Sequence, residues 1–305
     1  MNPGFEETEG RREMNYGLST TMSGVDCYLD RLPAFKRAGI AYLELCLRED
    51  YEMEASLYAD CMEAIRRAGM TVFSVHLPFG HSVTPACAEE EQRLAHMGAV
   101  KRFIDLTESS GARVYVIHGS HEPVGEGERP LLLERAAKSL RELVEYMQPL
   151  GRILALENLP RTCLGNTPAE IRWLLGRVPG LRLCFDTNHF TALAPDTRLR
   201  WLQRLCPSLR ARRNSALADG VQYAREFAPQ IASVHISDYD GIDECHWMPG
   251  QGIVDFAGIH NALSWAGFDA PILFEPNERC KGWKTTAARL IRGYEKAAGL
   301  LEEKR

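Results

Sequence analysis

The segment "LCFDTNHF", residues 183–190, joins a buried-type apolar run to Asp186, Asn188 and His189. A strand that only fills a core ordinarily ends in a glycine or turn residue. Ending one in a carboxylate, an amide and an imidazole costs desolvation unless those groups meet partners. Whether other strands end in the same way therefore decides both the fold and the location of chemistry.

They do. Short apolar runs rich in β-branched and aromatic residues recur along the chain. They are "MNYGLST" (14–20), "IAYLELCL" (40–47), "TVFSVHLP" (71–78), "ARVYVIHGS" (112–120), "RILALENLP" (152–160), "LRLCFDT" (181–187), "IASVHIS" (231–237) and "PILFEPN" (271–277). Helical patterns such as 54–68, 87–109 and 129–148 lie between them, and "VPG" and "AGF" punctuate the approach to two later strands. Near-continuous apolar strands alternating with helices imply a parallel sheet covered on both faces. Eight such units predict a closed (β/α)8 TIM barrel. A doubly wound sheet would call for an early glycine-rich phosphate turn, and the chain has no GxGxxG. Residues 1–13 read as a polar N-terminal tail, and 14–305 as one barrel domain. A long helical insertion between strands six and seven, 196–228, carries Arg198, Arg200, Arg204, Arg210, Arg212 and Arg213. It reads as a solvated insertion or subunit contact, with a lid or anion site as the sharper alternative.

The 305 residues are 45% hydrophobic and 25% charged, with a net charge of −5, so no global field draws the chain to nucleic acid or an anionic membrane. The nine cysteines are scattered without a CxxC pair, which argues against a disulfide framework and for a reducing, cytoplasmic setting. No apolar run reaches the roughly 18 residues a membrane span needs, and the polar start is no signal peptide.

Seven of the eight runs place an ionisable residue near their C-terminal ends: Glu44, His76, His118, Glu157, Asp186, His235 and Glu275. In a barrel these ends share the face that carries active sites. Seven of the nine histidines (His76, His81, His118, His121, His189, His235, His246) fall there or in the following loops; His96 and His260 fall in helical patterns. One such histidine is an ordinary core or surface imidazole, but seven on one rim suggest a site. Crowded carboxylates repel, and a divalent cation offsets that repulsion. Glu157, Asp186, His235 and Glu275 come from four successive strands and form an oxygen-rich set suited to Mn²⁺, with Mg²⁺, Co²⁺ or Zn²⁺ as alternatives. Trp247 and Trp283 stand in loops at the expected mouth, placed either to stack on a sugar or simply to pack. Cys184 and Cys245, beside the site, are given no nucleophilic role.

The ordered set "LALENLP", "FDTNH", "VHISD", "HWMPGQGIVDF" and "LFEPN" resembles the sugar phosphate isomerase/epimerase family of xylose isomerase-like TIM barrels, whose superfamily includes endonuclease IV. The resemblance implies a metal-dependent carbohydrate epimerase or isomerase acting through a metal-stabilised enediolate. Glu157, Asp186, His235 and Glu275 would hold one metal, and Glu157 and Glu275 would be the acid/base pair. Glu44, His76, His118, His189, His246 and Trp247 would line a pocket for a sugar, polyol or ketose, and the assembly would be a homodimer or homotetramer. One departure is plain: ketose epimerases of this kind carry an arginine shortly after the seventh-strand histidine, and "HISDYDGIDECH" has none. Cations for a substrate phosphate would have to come from Arg161, Lys281, Lys284 or the insertion.

Two further chemistries share these motifs. An endonuclease IV-like zinc enzyme cutting abasic DNA would add His76, His118, His189, Glu244 and His246 as metal ligands. Against it, "HGSH" stands where that family shows His-Pro-Gly, and Glu44 suits polyol hydroxyls better than phosphates. An inosose dehydratase-like lyase would begin with the same proton abstraction. A non-catalytic sugar-binding barrel would be free to lose a ligand, whereas all four are present.

Overall fold

The computed structural model describes residues 14–20, 29–47, 55–189, 220–241, 244–277 and 286–301. The N-terminal tail and most of the arginine-rich insertion, together with Trp283, lie outside these residues, so the expectations placed on them go no further.

Eight parallel strands close in sequence order into a barrel. They are β1 (Tyr16–Ser19), β2 (Ile40–Cys46), β3 (Thr71–His76), β4 (Val114–His118), β5 (Ile153–Glu157), β6 (Arg182–Asp186), β7 (Ile231–Ile236) and β8 (Ile272–Phe274). Each is followed by a helix: α1 (Leu32–Arg37), α2 (Ala55–Arg67), α3 (Glu90–Thr107), α4 (Arg129–Met147), α5 (Pro168–Arg177), α6 (Gly220–Phe227), α7 (Phe256–Trp265) and α8 (Ala287–Ala297). All eight sequence runs became strands. Among the described residues no helix is long and apolar enough to cross a membrane.

The period of two in a strand explains both cores and the site. Leu154 and Leu156, Leu183 and Phe185, and Ile272 and Phe274 point outward into the large core beneath the helices. The alternate residues Phe73, Val114, Val116, Ala155, Cys184 and Leu273 fill the barrel interior. Continuing each inward column by two residues leads from Val116 to His118, Ala155 to Glu157, Cys184 to Asp186 and Leu273 to Glu275. The polar strand ends are therefore the top layer of the barrel's own interior. β1 is the exception. Its Gly17 presses so closely on β8 that a Cβ there would lie 2.3 Å from Leu273 Cδ2, and the strand brings no ionisable group to the rim.

Helix starts are fixed locally. Thr167 caps α5 by accepting from the Glu170 N–H with Pro168 in the first turn, Asp255 caps α7 through Gly258 N–H at 2.9 Å, and Thr286 caps α8. Each cap ends a strand-to-helix loop, so the loops that frame the mouth have defined exits.

Candidate metal centre at the barrel mouth

Three side-chain clusters stand together at the C-terminal rim, each with one ligand atom per residue within 4.8 Å of the others: Glu157/Asp186/His235/Glu275, His76/His118/Glu157 and His189/Glu244/His246. Glu157 belongs to two of them. The carboxylates of Glu157 and Asp186 and the ring of His235 are almost fully buried; the side chain of Glu275 is 12% exposed. His235 Nδ1 lies 3.0 Å from Glu157 Oε1, 3.1 Å from Glu275 Oε2 and 3.7 Å from Asp186 Oδ2.

Local structure fixes these groups. Asn158, next to Glu157, grips the backbone of Asp186 through both ends of its amide, at 2.8 and 3.0 Å, and its carbonyl receives the His189 Nδ1–H at 2.9 Å. The Asn188 carboxamide oxygen accepts from the N–H groups of Cys245 (3.2 Å) and His246 (3.3 Å), tying β6 to the β7–α7 loop. That loop is folded around Asp238, whose carboxylate accepts N–H bonds from Tyr239, Gly250, Gly252 and Val254. These contacts explain the asparagines in "ENLP" and "DTNH" and the glycines in "HWMPGQG". Amides carry no ionisable signal, and from sequence alone only their place within the motifs marked Asn158 and Asn188.

Burial and charge pull the titrations apart. Burial pushes Asp186 up to about 6, with His189 partly offsetting it and the nearby carboxylates of Glu157 and Glu275 adding to it. Burial acts on Glu275 too, but His235 outweighs it and holds that carboxyl down to about 2. Glu157 is likewise driven up by burial and held well below the carboxylate range by His235, His118 and His76. Burial opposes charge on His189 and His246, yet the surrounding carboxylates raise them to about 10 and about 9. Burial lowers His118.

The residues fit a divalent ion. Asp186 Oδ2 is buried with no hydrogen-bond partner among the described residues, an orphan acceptor of the kind a cation satisfies. His76 and His246 direct Nδ1 to the carbonyls of Leu77 (2.8 Å) and Glu275 (2.9 Å), as His189 does to Asn158. A carbonyl only accepts, so Nδ1 carries a proton; the raised rings carry a second on Nε2 toward the carboxylates, and a cation that displaces it meets the Nε2 lone pair, the posture of a metal-ligating imidazole.

A cavity of about 440 Å³ opens above, lined by His76, His118, Glu157, His189, His246 and Glu275 among others. Two residues expected to line it stand elsewhere. Glu44 is completely buried beneath the rim, and Trp247 is partly buried against the hydrophobic core. Arg161, a candidate cation for a substrate phosphate, lines it, and residues not anticipated line it too, among them Phe79, whose ring stacks on His118 at 4.5 Å, and Glu122. Arg161 reaches across the mouth to pair with both Glu122 and Glu244. Arg161 (φ 53°) and His246 (φ 46°) are the non-glycine residues with left-handed backbones among those described, and both contact Glu244. Glu244 in turn faces His189 Nε2 at 3.4 Å and His246 Nε2 at 3.1 Å. His81 meets His121 in a tilted ring contact with centroids 3.8 Å apart, His96 lies in α3, and His260 in α7 contacts Tyr294.

Residues 32–302 match the family model of the xylose isomerase-like TIM barrel, and the chain belongs to that family. Among characterised relatives, fructoselysine 3-epimerase of Shigella flexneri is 26% identical over 175 residues, 57% of this chain and 55% of that one. The chain spans less than two thirds of the length of the curated relatives it matches. Among solved structures, a D-tagatose 3-epimerase-like protein superposes with a TM-score of 0.72 at 19% identity, over 94% of this chain and 98% of that one. D-psicose 3-epimerase of Clostridium cellulolyticum H10 gives 0.70 at 16% identity, over 94% and 97%. These superpositions establish the shared fold.

Proposed function

We propose that the protein is a divalent-metal-dependent epimerase or isomerase of a ketose or related sugar, with Glu157, Asp186, His235 and Glu275 holding the metal and Glu157 and Glu275 moving protons. The observation that carries this reading is the four-residue cluster, with two carboxylates from β5 and β8 flanking the ligands of β6 and β7. The relationship to a sugar 3-epimerase supports the substrate class. Mn²⁺ suits three carboxylates and one imidazole.

A bound divalent ion would supply Lewis-acid stabilisation of the charge that develops on the sugar's carbonyl oxygen as a neighbouring C–H is deprotonated. The chain's own groups do the rest. Glu157 and Glu275 are held in the ionised, proton-accepting form by the imidazoles around them. Standing on strands separated by two others, they address a bound sugar from different sides. Either takes the proton at a carboxylate oxygen, and the other returns one to the opposite face after receiving it. At Glu157 the supply is His76 as imidazolium: burial opposes its charge, but Glu157 and Glu44 raise its pKa, and the second proton then sits on Nε2, 3.0 Å from Glu157 Oε2. Phe79 stacks over the His118 ring on that side. His189 and His246 offer ring nitrogens to sugar hydroxyls, oriented by carbonyls on their far sides.

A second reading rests on the two flanking clusters. His76/His118/Glu157 and His189/Glu244/His246 give the rim capacity for three ions, the arrangement of a zinc-dependent abasic-site DNA endonuclease. A dehydratase-like lyase would use the first cluster and expel water after the same proton abstraction. One experiment separates these readings: metal counting on purified protein, followed by a ketose and polyol panel in D₂O and an abasic duplex. One ion with solvent deuterium entering an epimerised ketose is the expected result. Three zincs with incision of the duplex, or exchange accompanied by water loss, refutes it. Glu157→Gln and Glu275→Gln should each lower exchange by about 10²–10⁴-fold, the usual worth of a positioned acid or base.

A further inference from the structure

Glu44 was expected at the rim, in contact with substrate, yet it has no exposure and does not line the cavity. A β-bulge between Leu43 and Glu44 shifts the β2–β3 register and sets Glu44 opposite Ser74. Its hydrogen-bond partners among the described residues are two. Ser74 Oγ donates to Oε2 at 2.8 Å, and His235 Nε2 lies 3.1 Å from Oε2 and 3.0 Å from Oε1. A buried carboxylate is a costly way to fill a strand, and a well-packed apolar residue would serve stability as well or better. Its presence points to a task.

The task follows from donor counting. A carboxylate accepts and does not donate, so the proton between Glu44 and His235 sits on His235 Nε2. By the same count Nδ1, surrounded by Glu157 Oε1, Glu275 Oε2 and Asp186 Oδ2, also carries a proton in the metal-free protein; a cation arriving among those carboxylates displaces that proton and leaves the one on Nε2, facing Glu44. Were the Nε2 proton the one lost, the Nδ1 proton would occupy the space a cation needs.

We propose that Glu44, steadied by Ser74, is a positioning residue for the metal centre: it pins the proton of His235 on Nε2 and turns Nδ1 toward the ion. The inference rests on the metal-dependent reading above and adds a residue that touches neither substrate nor ion. Outer partners of metal-bound imidazoles are typically worth 10–100-fold in affinity.

The test compares wild type, Glu44→Gln, Glu44→Met and Ser74→Ala by Mn²⁺ titration followed by EPR. Melting temperatures without metal and ¹⁵N NMR of the His235 ring accompany it. The expected result is a Kd for Mn²⁺ 10–100-fold weaker in both Glu44 variants and several-fold weaker in Ser74→Ala, with metal-free melting unchanged or higher in Glu44→Met. A residue of purely structural worth would instead lower melting and affinity together. With a saturating diamagnetic ion, Mg²⁺ or Zn²⁺, the ¹⁵N spectrum of wild type should show His235 protonated at Nε2 alone, and in Glu44→Gln that preference should be lost. Mn²⁺ affinity within threefold of wild type in the Glu44 variants overturns the proposal and leaves the metal reading standing. If the Glu44 variants do not fold, unchanged affinity in Ser74→Ala overturns it. Wild type that binds no divalent ion sinks the metal reading and the positioning role that rests on it; a metal-loaded wild type whose His235 keeps its Nδ1 proton sinks the positioning role alone.

Discussion

Asp186→Asn should make the metal-free protein more stable while destroying its capacity for metal. Asp186 is fully buried, and one of its two oxygens has no hydrogen-bond partner among the described residues. Burial, with Glu157 and Glu275 nearby, raises its pKa from the ordinary 3.8 to about 6. Each tenfold in an acid equilibrium is about 1.4 kcal/mol, so the folded, metal-free protein bears a cost of about 3 kcal/mol at neutral pH for keeping this group charged. The sign follows from proton counting. Between pH 3.8 and 6 the folded state holds a proton that the unfolded state has released, so stability falls as pH rises through that window. The cost is complete above about 6 and absent below about 4. An asparagine bears none of it and can still accept from the Asn188 N–H, as Asp186 Oδ1 does. Calorimetry in EDTA at pH 7.5 should place the variant's melting temperature several degrees above wild type. The gap should close as the pH approaches 4, and millimolar Mn²⁺ should raise the wild type alone. A variant no more stable than wild type in EDTA at pH 7.5, or a gap that widens in acid, refutes the claim that this carboxylate is held at a cost for a cation.

Metal affinity should fall on acidification, by about tenfold or more for each pH unit below 6, because Asp186 then gains a proton that the ion must displace. Titrations from pH 5 to 8 with a proton-sensitive dye should show proton release, and a flat affinity over pH 5–7 would contradict this. Gly252→Ala should disable the β7–α7 loop, because the added Cβ would lie 2.1 Å from Tyr239 O and 2.3 Å from Asp238 Oδ1. Overpacking of this kind costs about 1–3 kcal/mol. It should lower kcat/KM for any ketose substrate at least tenfold while the barrel still folds, and unchanged kcat/KM would show that the loop tolerates the shift.

The barrel and its rim were legible because the same two-residue period that buries Val116, Ala155 and Cys184 places His118, Glu157 and Asp186 in line above them. A reader of sequence needs only the apolar runs and the residues that end them. Glu44 does not end its strand: β2 runs on to Cys46, which pairs with His76 at the rim and leaves Glu44 a layer lower opposite Ser74, and nothing in "YLELC" says where the strand stops. The meeting of Arg161, Glu122 and Glu244 was harder still to foresee. They come from three different loops, separated by 39 and 83 residues, and meet only because the closed sheet curls those loops together. No arginine follows the β7 histidine in "HISDYDGIDECH"; a guanidinium reaches the mouth from the β5–α5 loop, paired with Glu122 and Glu244.

Asp238 and Trp247 exchange two backbone hydrogen bonds, 2.8 and 2.7 Å, which cinch the segment between them at its base. Changes in length or composition inside that knot need not propagate into β7 or α7. Since Glu244, Cys245 and His246 lie within it, the protein can exchange the wall that meets the ligand without rebuilding the cylinder beneath. Divergence among homologues in what they accept should therefore concentrate in these few positions.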